Sequence, residues 1–298
     1  MKQLLISIDL DEFCHVRWVS GSNGALYSNR RDYFHQVYNS SRHGKELIEQ
    51  TNIILDDFSS SEIRSTFFIL GEVAENYPEL VKIISDEGHE IACHSYRHID
   101  LTLHTQKSFR DELLKAKSLL EDLSGKEVIG VRMPNLIIKD WVKEIFLEHG
   151  FKYDSSICPS VSLTGKFGDY VGYPVYPYAT EINSFKPGDS NFWEFPLPVF
   201  PVLRLPGATG IVTRALGKGW TYITLWNVQC RGKIPSYYFH PWELGKVPQS
   251  IQLDTFYKKL FTRRTGKWMR KFVKDLVQSH HCFGYKEYIQ KQIVCDDH

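Results

Sequence analysis

Runs of strand length alternate with helical stretches over the first half of the chain, and this alternation restricts the fold more than any other feature. Residues 3–9 (Q-L-L-I-S-I-D) make an apolar run that ends in an acid, and residues 64–70 (R-S-T-F-F-I-L) make a second. G-H-E-I-A-C-H at 88–94 gives a third short strand, 127–131 a fourth, and 151–154 the start of a fifth. Between them, 44–57, 79–87, 107–122 and 138–149 carry apolar residues at helical spacing. Gly71 and Gly150 act as stop signals. Repeated strand–helix units pair their strands in parallel, because the crossover back to the same edge needs a helix-sized connection. The expectation is a parallel α/β architecture; periodicity alone does not separate a barrel from an open sheet.

The rhythm breaks twice. Residues 14–42 are polar and aromatic and read as a long loop or insertion. Residues 157–192 are rich in Gly, Pro, Ser and Tyr, and a loop of that length in a compact domain is usually functional or mobile. Strands resume near 192–196 and 235–240, and a helical segment is expected over 252–278. At 298 residues the chain suits one large domain, read here as spanning 1–298.

Polar groups gather at the carboxyl ends of the expected strands, where parallel α/β folds bind ligands. Asp9 and Asp11 close the first strand, His94 closes the third with His98 four residues later, Arg132 follows the fourth, and His240 follows S-Y-Y-F. Residues two apart in a strand share a face, so Asp9 and Asp11 repel unless a cation or a proton intervenes. The spacing of His94 and His98 predicts two imidazoles on one side of a helical turn. Two histidines and one carboxylate leave open positions around a metal, the pattern of a catalytic site. Each element alone is weak, since D-x-D is common at solvated strand ends and a lone His240 suits a core or interface. Their joint placement carries the reading.

Composition excludes more than it selects. A net charge of +1 argues against wholesale nucleic-acid binding, which brings a basic surplus. One local basic run, Lys258 to Lys274, interleaves with Leu260, Phe261, Trp268, Met269, Phe272 and Val273 and predicts an amphipathic helix. Contact with a membrane surface or an anionic glycan carrier is an open role for it. Six cysteines show neither a C-x-x-C pair nor a small-scaffold spacing. The first residues begin like a signal peptide but meet Asp9 and Asp11 before a long apolar region. A soluble, reducing, cytoplasmic setting is the expectation.

At this point the motifs resemble a known family, the polysaccharide deacetylases of the NodB-homology type, carbohydrate esterase family four. The resemblance runs from Ile6 to about Leu244. It is carried by S-T-F-F-I-L-G at 65–71, by G-H-E-I-A-C-H-S-Y-R-H at 88–98, by G-V-R-M-P at 130–134 and by F-K-Y-D-S-S at 151–156. F-W-E-F-P at 192–196, Y-F-H-P-W-E at 238–243 and T-R-R-T-G-K-W-M-R-K-F at 262–272 resemble a subgroup linked to bacterial exopolysaccharide production. The resemblance implies a distorted (β/α) barrel, with seven strands expected. It implies Asp11, His94 and His98 as ligands of a divalent metal, with zinc expected. It also implies Asp9 as general base, His240 as general acid, Arg132 as the group holding Asp9 ionised, and Asp154 as a support of His240 or of the groove beside it. The implied activity is hydrolysis of an N-acetyl group on an amino sugar of a glycan or glycan precursor.

Two departures stand out. Many members carry adjacent Asp-Asp in the first motif, where this chain has Asp9-Leu10-Asp11, a spacing similar to intracellular and allantoinase-like branches. The third motif has Asn135 where many members have an aromatic residue; the backbone N–H there is the expected oxyanion donor. Cyclic-amide hydrolysis and glycan binding without catalysis therefore stay open as alternatives. Trp18, Tyr27 and Tyr33, and later Tyr170, Tyr173, Tyr176 and Tyr178, are candidate sugar platforms or loop anchors.

Overall fold

The computed structural model describes residues 1–20, 22–38, 45–161, 170–248 and 253–296. The elements in order are β1 (Lys2–Leu10), α1 (Arg30–Tyr38), α2 (Glu46–Ser59), β2 (Thr66–Ile69), α3 (Gly71–Asn76), α4 (Pro78–Asp86), β3 (Glu90–Cys93), α5 (Gln106–Ser124), β4 (Gly130–Val131), α6 (Trp141–Glu148) and β5 (Tyr153–Asp154). Then come β6 (Tyr178–Ala179), β7 (Trp193–Glu194), α7 (Gly210–Leu216), α8 (Lys218–Gln229), β8 (Ser236–Phe239), α9 (Phe256–Thr262), α10 (Lys267–Ser279), β9 (His280–Phe283) and α11 (Tyr285–Asp296).

The strands form one sheet in the order β6-β7-β5-β4-β3-β2-β1-β8, parallel except where β6 meets β7, with β9 added to β1 off this path. The sheet curls into a distorted barrel with helices packed outside it. The sheet has nine strands where seven are expected. Several are two residues long, and such short pieces leave no period for a sequence reading to detect.

β1 organises the barrel. Its Leu4, Ile6, Ile8 and Leu10 join the core under the helices, with Ile54 and Phe58 of α2 and Leu80 and Ile84 of α4. Its other face carries Leu5, Ser7 and Asp9, all buried. Leu5 packs with Phe68, Ala92, Tyr153 and Phe195 inside the curl. That interior face turns from apolar to acidic along a single strand, and the period of two fixes which end of the barrel becomes polar.

The neighbouring strands repeat the scheme. Phe67 and Ile69, Ile91 and Cys93, Val131, and Tyr237 and Phe239 belong to the outer core. By alternation His94, Arg132 and His240 continue the inner face just past their strands. β4 approaches β5 closely: a Cβ on Gly130 would lie 2.0 Å from the Tyr153 ring, so only glycine fits.

Helix ends follow ordinary capping physics. Thr105 accepts from Ser108 N–H in a capping box at the start of α5, and Gly125 ends that helix at φ 64°. Pro78 opens α4. No helix among the described residues is long and apolar enough to cross a membrane.

Three expectations need correction. His94 and His98 do not share a helical turn; the intervening chain is a loop, with Ser95 at φ 66° and His98 at φ 57°. The 14–42 segment is not all loop, since it holds α1, while residues 39–44 lie outside the described ones. The single helix expected over 252–278 is α9 and α10 separated by a turn with Arg264 at φ 59°, and its first residue lies outside the described ones. The chain then adds β9 and α11, which the periodicity did not signal. Of the 157–192 segment, residues 162–169 lie outside the described ones, and the remainder includes β6.

Candidate active site

Asp9, Asp11, His94, His98 and His240 line one cleft of ≈ 440 Å³ at the carboxyl ends of β1, β3 and β8. All five are buried. Asp11 lies just past the end of β1, where its N–H bonds the Asp9 carbonyl at 2.9 Å. This turn brings both carboxylates of D-x-D to the cleft.

Asp11, His94 and His98 each offer a ligand atom, and these atoms lie within 4.8 Å of one another. His98 Nε2 is 3.7 Å from Asp11 Oδ2. His94 Nδ1 donates to the Arg132 carbonyl at 2.7 Å, which fixes the tautomer and leaves Nε2 as the free lone pair on the cleft side. Burial pulls the His94 imidazole down to about 4, so it is neutral, as a ligand must be. Burial pushes the Asp11 carboxyl up to about 7. Its Oδ1 is buried and has no hydrogen-bond partner among the described residues. An orphaned carboxylate oxygen on a residue whose ligand atom lies within 4.8 Å of those of two histidines fits a divalent cation, whose charge would remove the cost of burying it.

Asp9 is held differently. The Arg132 guanidinium donates from Nη1 to Asp9 Oδ1 and, at 3.1 Å, to Ser7 Oγ. Its other donors reach the Ser155 carbonyl at 2.9 Å, Ser155 Oγ at 2.7 Å and the Tyr285 hydroxyl at 3.1 Å. The cation lies 4.1 Å from the Phe68 ring centroid and 4.8 Å from that of Tyr238. Burial opposes the charge on Arg132, but the Asp9 carboxylate beside it outweighs burial and raises its pKa. The guanidinium is thus spent on orienting Asp9, and the second carboxylate oxygen remains for proton transfer.

His240 has its own support. Its Nδ1 donates to Glu243 Oε1 at 2.8 Å, and its backbone N–H donates to the same oxygen at 3.0 Å. Glu243 is clamped at 2.5 Å by Arg214 Nε, both side chains being fully buried. Gly210 at the start of α7 is required here, since a Cβ would lie 2.3 Å from Glu243 Oε1. The His240 ring stacks on Trp242 with centroids 5.4 Å apart. Burial lowers its pKa, but the carboxylates of Asp11, Glu243 and Asp9 prevail and raise it to about 9. A protonated imidazole with its Nδ1 fixed behind it presents Nε2–H to the cleft.

Asp154 does not contact His240 through a hydrogen bond among the described residues. It accepts from Ser156 N–H at 2.9 Å and Ser156 Oγ at 2.6 Å, and Ser156 Oγ in turn accepts from Met133 N–H at 2.7 Å. Asp154 therefore reaches the cleft wall at Met133, and the support of His240 falls to Glu243. Asn135 takes a left-handed backbone at φ 56°, and its side chain donates to Asp100 Oδ1 at 2.7 Å. Of the aromatics expected as platforms, Trp18 lines the cleft, whereas Tyr33 and Tyr178 are buried in packing and Tyr170 packs on Tyr173. Tyr238, Trp242, Tyr257 and Phe261 supply the rest of the aromatic wall.

Glu243, Arg214 and Tyr285 escaped the sequence reading. Glu243 stands three residues after His240, a spacing that a search for its partner would have tested. Arg214 and Tyr285 come from distant helices and gave no local signal.

Residues 46–153 match the family model "polysaccharide deacetylase". A peptidoglycan deacetylase of Helicobacter pylori is 36% identical over 104 residues, which are 35% of this chain and 36% of that protein. The chain thus spans about a third of the length of that curated relative. A crystal structure from Mycobacterium smegmatis assigned to the polysaccharide deacetylases covers 99% of this chain and 91% of its own, with a TM-score of 0.60 at 17% identity. The PuuE allantoinase superposes as well, with a TM-score of 0.60 at 16% identity, covering 95% of this chain and 86% of its own. The two solved structures share the fold of this chain, and within the sequence residues 46–153 are similar to polysaccharide deacetylases.

Proposed function

We propose that the protein is a metal-dependent hydrolase that removes N-acetyl groups from amino sugars in a glycan or glycan precursor. The observation that carries this reading is the convergence of a two-histidine, one-carboxylate triad, a separate carboxylate and a separate imidazole on one cleft. Asp11, His94 and His98 would hold the ion, with zinc as the metal these donors suit best. When bound, a divalent ion supplies Lewis acidity for the amide carbonyl and lowers the pKa of water.

The chain's own residues do the proton work. Asp9, oriented by Arg132, takes a proton from the attacking water. The backbone N–H at Asn135, in the left-handed turn at the cleft wall, donates to the developing oxyanion in this reading. His240 delivers a proton from Nε2 to the departing nitrogen, which as an amide is otherwise a very poor leaving group. Glu243 holds Nδ1–H in place and favours the protonated ring before the transfer, after which the ring is neutral. Acetate and a free amine leave the cleft.

A cyclic-amide hydrolase would use the same barrel, but the orphaned oxygen of Asp11, a residue grouped with two histidines, favours the metal-dependent reading. The test is acetate release from N-acetylated oligosaccharides, with and without added zinc. Asp9→Asn should lower turnover by about 10²–10⁴, the usual contribution of a general base. No acetate from any N-acetylated sugar at any metal loading would refute the proposal.

A further inference from the structure

The deacetylase reading leaves one charged group in the cleft without a task. Arg17 is the sole lysine or arginine among the described residues lining the cleft. Its side chain is 48% exposed, so its charge faces solvent and any ligand that enters. It is nevertheless held in place: Nε donates at 3.0 Å to Oδ2 of Asp100, whose side chain is 3% exposed. Asp100 Oδ1 accepts from Asn135 Nδ2 at 2.7 Å, so the carboxylate ties Arg17 to the turn at Asn135. The loop is closed on itself as well, with Ser22 Oγ donating to the Arg17 carbonyl at 2.6 Å.

Anchoring through Nε leaves the two Nη groups of the fork available, the pair that meets a carboxylate or phosphate side by side. Trp18 and Trp242 line the same cleft as aromatic walls. The cleft's acids are otherwise engaged: Asp9 is paired with Arg132, and Asp11 belongs to the triad. The guanidinium is thus oriented by Asp100 at the rim of a cleft it lines, with its two Nη groups left to meet a second anion.

We infer that Arg17 reads an anionic group on the substrate, a carboxylate or phosphate borne by or next to the N-acetylated sugar. This deepens the deacetylase reading and rests on it. An acidic residue in the glycan and a phosphate on a glycosyl carrier share the chemistry and differ in where the charge sits.

The experiment compares three probes on wild type and Arg17→Gln, each loaded with zinc. The probes are neutral N,N′-diacetylchitobiose, an N-acetylmuramic acid disaccharide with its carboxylate, and N-acetylglucosamine 1-phosphate. Acetate release gives kcat and KM, and titration calorimetry on the same proteins gives affinity without turnover. The wild type should prefer one of the anionic probes. Arg17→Gln should lower that probe's preference over the neutral one by about ten- to hundredfold, the range of a charge-assisted hydrogen bond, mainly through KM. Arg17→Lys should retain part of the preference, since it keeps the charge and loses the fork.

The anionic probe that responds identifies the source of the charge. Equal losses on neutral and anionic probes would mean that Arg17 only tethers the loop, and would overturn the inference. So would a wild type that binds all three alike. Absence of acetate from every probe would defeat the deacetylase reading, while the calorimetric preference would still decide the anion site separately.

Discussion

The two ends of the cleft are built by different means. At the end proposed to hold the metal, Asp9, Asp11, His94 and His98 come from the ends of β1 and β3, and Arg132 follows β4, which neighbours β3, while β2 separates β3 from β1. At the acid end, His240 follows β8 but depends on Glu243, on Arg214 from α7, and on the carbonyls of Phe261 and Arg263 that also hold Arg214. The first end is set by strand alternation at Asp9, His94 and Arg132 and by the short turns past the strands at Asp11 and His98. The second is a chain of buried polar contacts assembled from separate helices. Alternation places side chains with little freedom to fail, whereas a buried ion pair is retained only if every partner is present.

This contrast can be broken or sharpened by substitution. The largest effect is expected from Arg132→Met, which strips Asp9 of its buried counter-charge. Unfolding in urea should show a loss of about 3–5 kcal/mol, the cost of orphaning one member of a buried pair. Turnover should fall with it, because Asp9 loses its orientation. Native-like stability would mean that Arg132 contributes little to holding Asp9. Next comes Glu243→Gln, which keeps an acceptor near His240 but removes the charge facing Arg214. A loss of about 1.5–3 kcal/mol is expected, in the range of a hydrogen bond to a charged group. Metal affinity should be nearly unchanged, and a drop as large as that of a triad variant would merge the two ends into one unit.

The smallest effect should come from Tyr285→Phe. Its hydroxyl lies 3.1 Å from both Arg132 Nη2 and Ser7 Oγ, and its ring stacks on Phe195 with centroids 4.6 Å apart. Removing the hydroxyl keeps the stack, so about 0.5–1.5 kcal/mol should be lost. A modest fall in kcat with KM unchanged would mark it as a positioning residue acting through Arg132. A stability loss with no change in kcat would confine it to packing.

What the sequence made legible follows the same division. The inner faces of β1, β3 and β4 could be read because alternation over an apolar run is a local signal, and each run ended in the residue that mattered. The local geometry was less accessible. His94 and His98 converge through a loop with left-handed residues, and a spacing of four suggests a helical turn whether or not one forms. Asp154 looked like a partner for His240 because both belong to the resemblance. In three dimensions Asp154 bonds Ser156, which bonds Met133 of the cleft wall, as the alternative of a groove support allows, and Glu243, three residues after His240, makes the bond to His240. The C-terminal strand β9 pairs with Lys2–Leu5, some 280 residues earlier, and no window of sequence contains both sides of that contact.

The central claim is that Asp11, His94 and His98 form the metal site and that Asp9, although two residues away, is separate from it. The direct measurement is zinc stoichiometry and affinity, by calorimetry and elemental analysis, on wild type, Asp11→Ala and Asp9→Asn. The account predicts one ion per chain for wild type and for Asp9→Asn, and loss of tight binding in Asp11→Ala. Retention of the ion by Asp11→Ala, or its loss from Asp9→Asn, would contradict it.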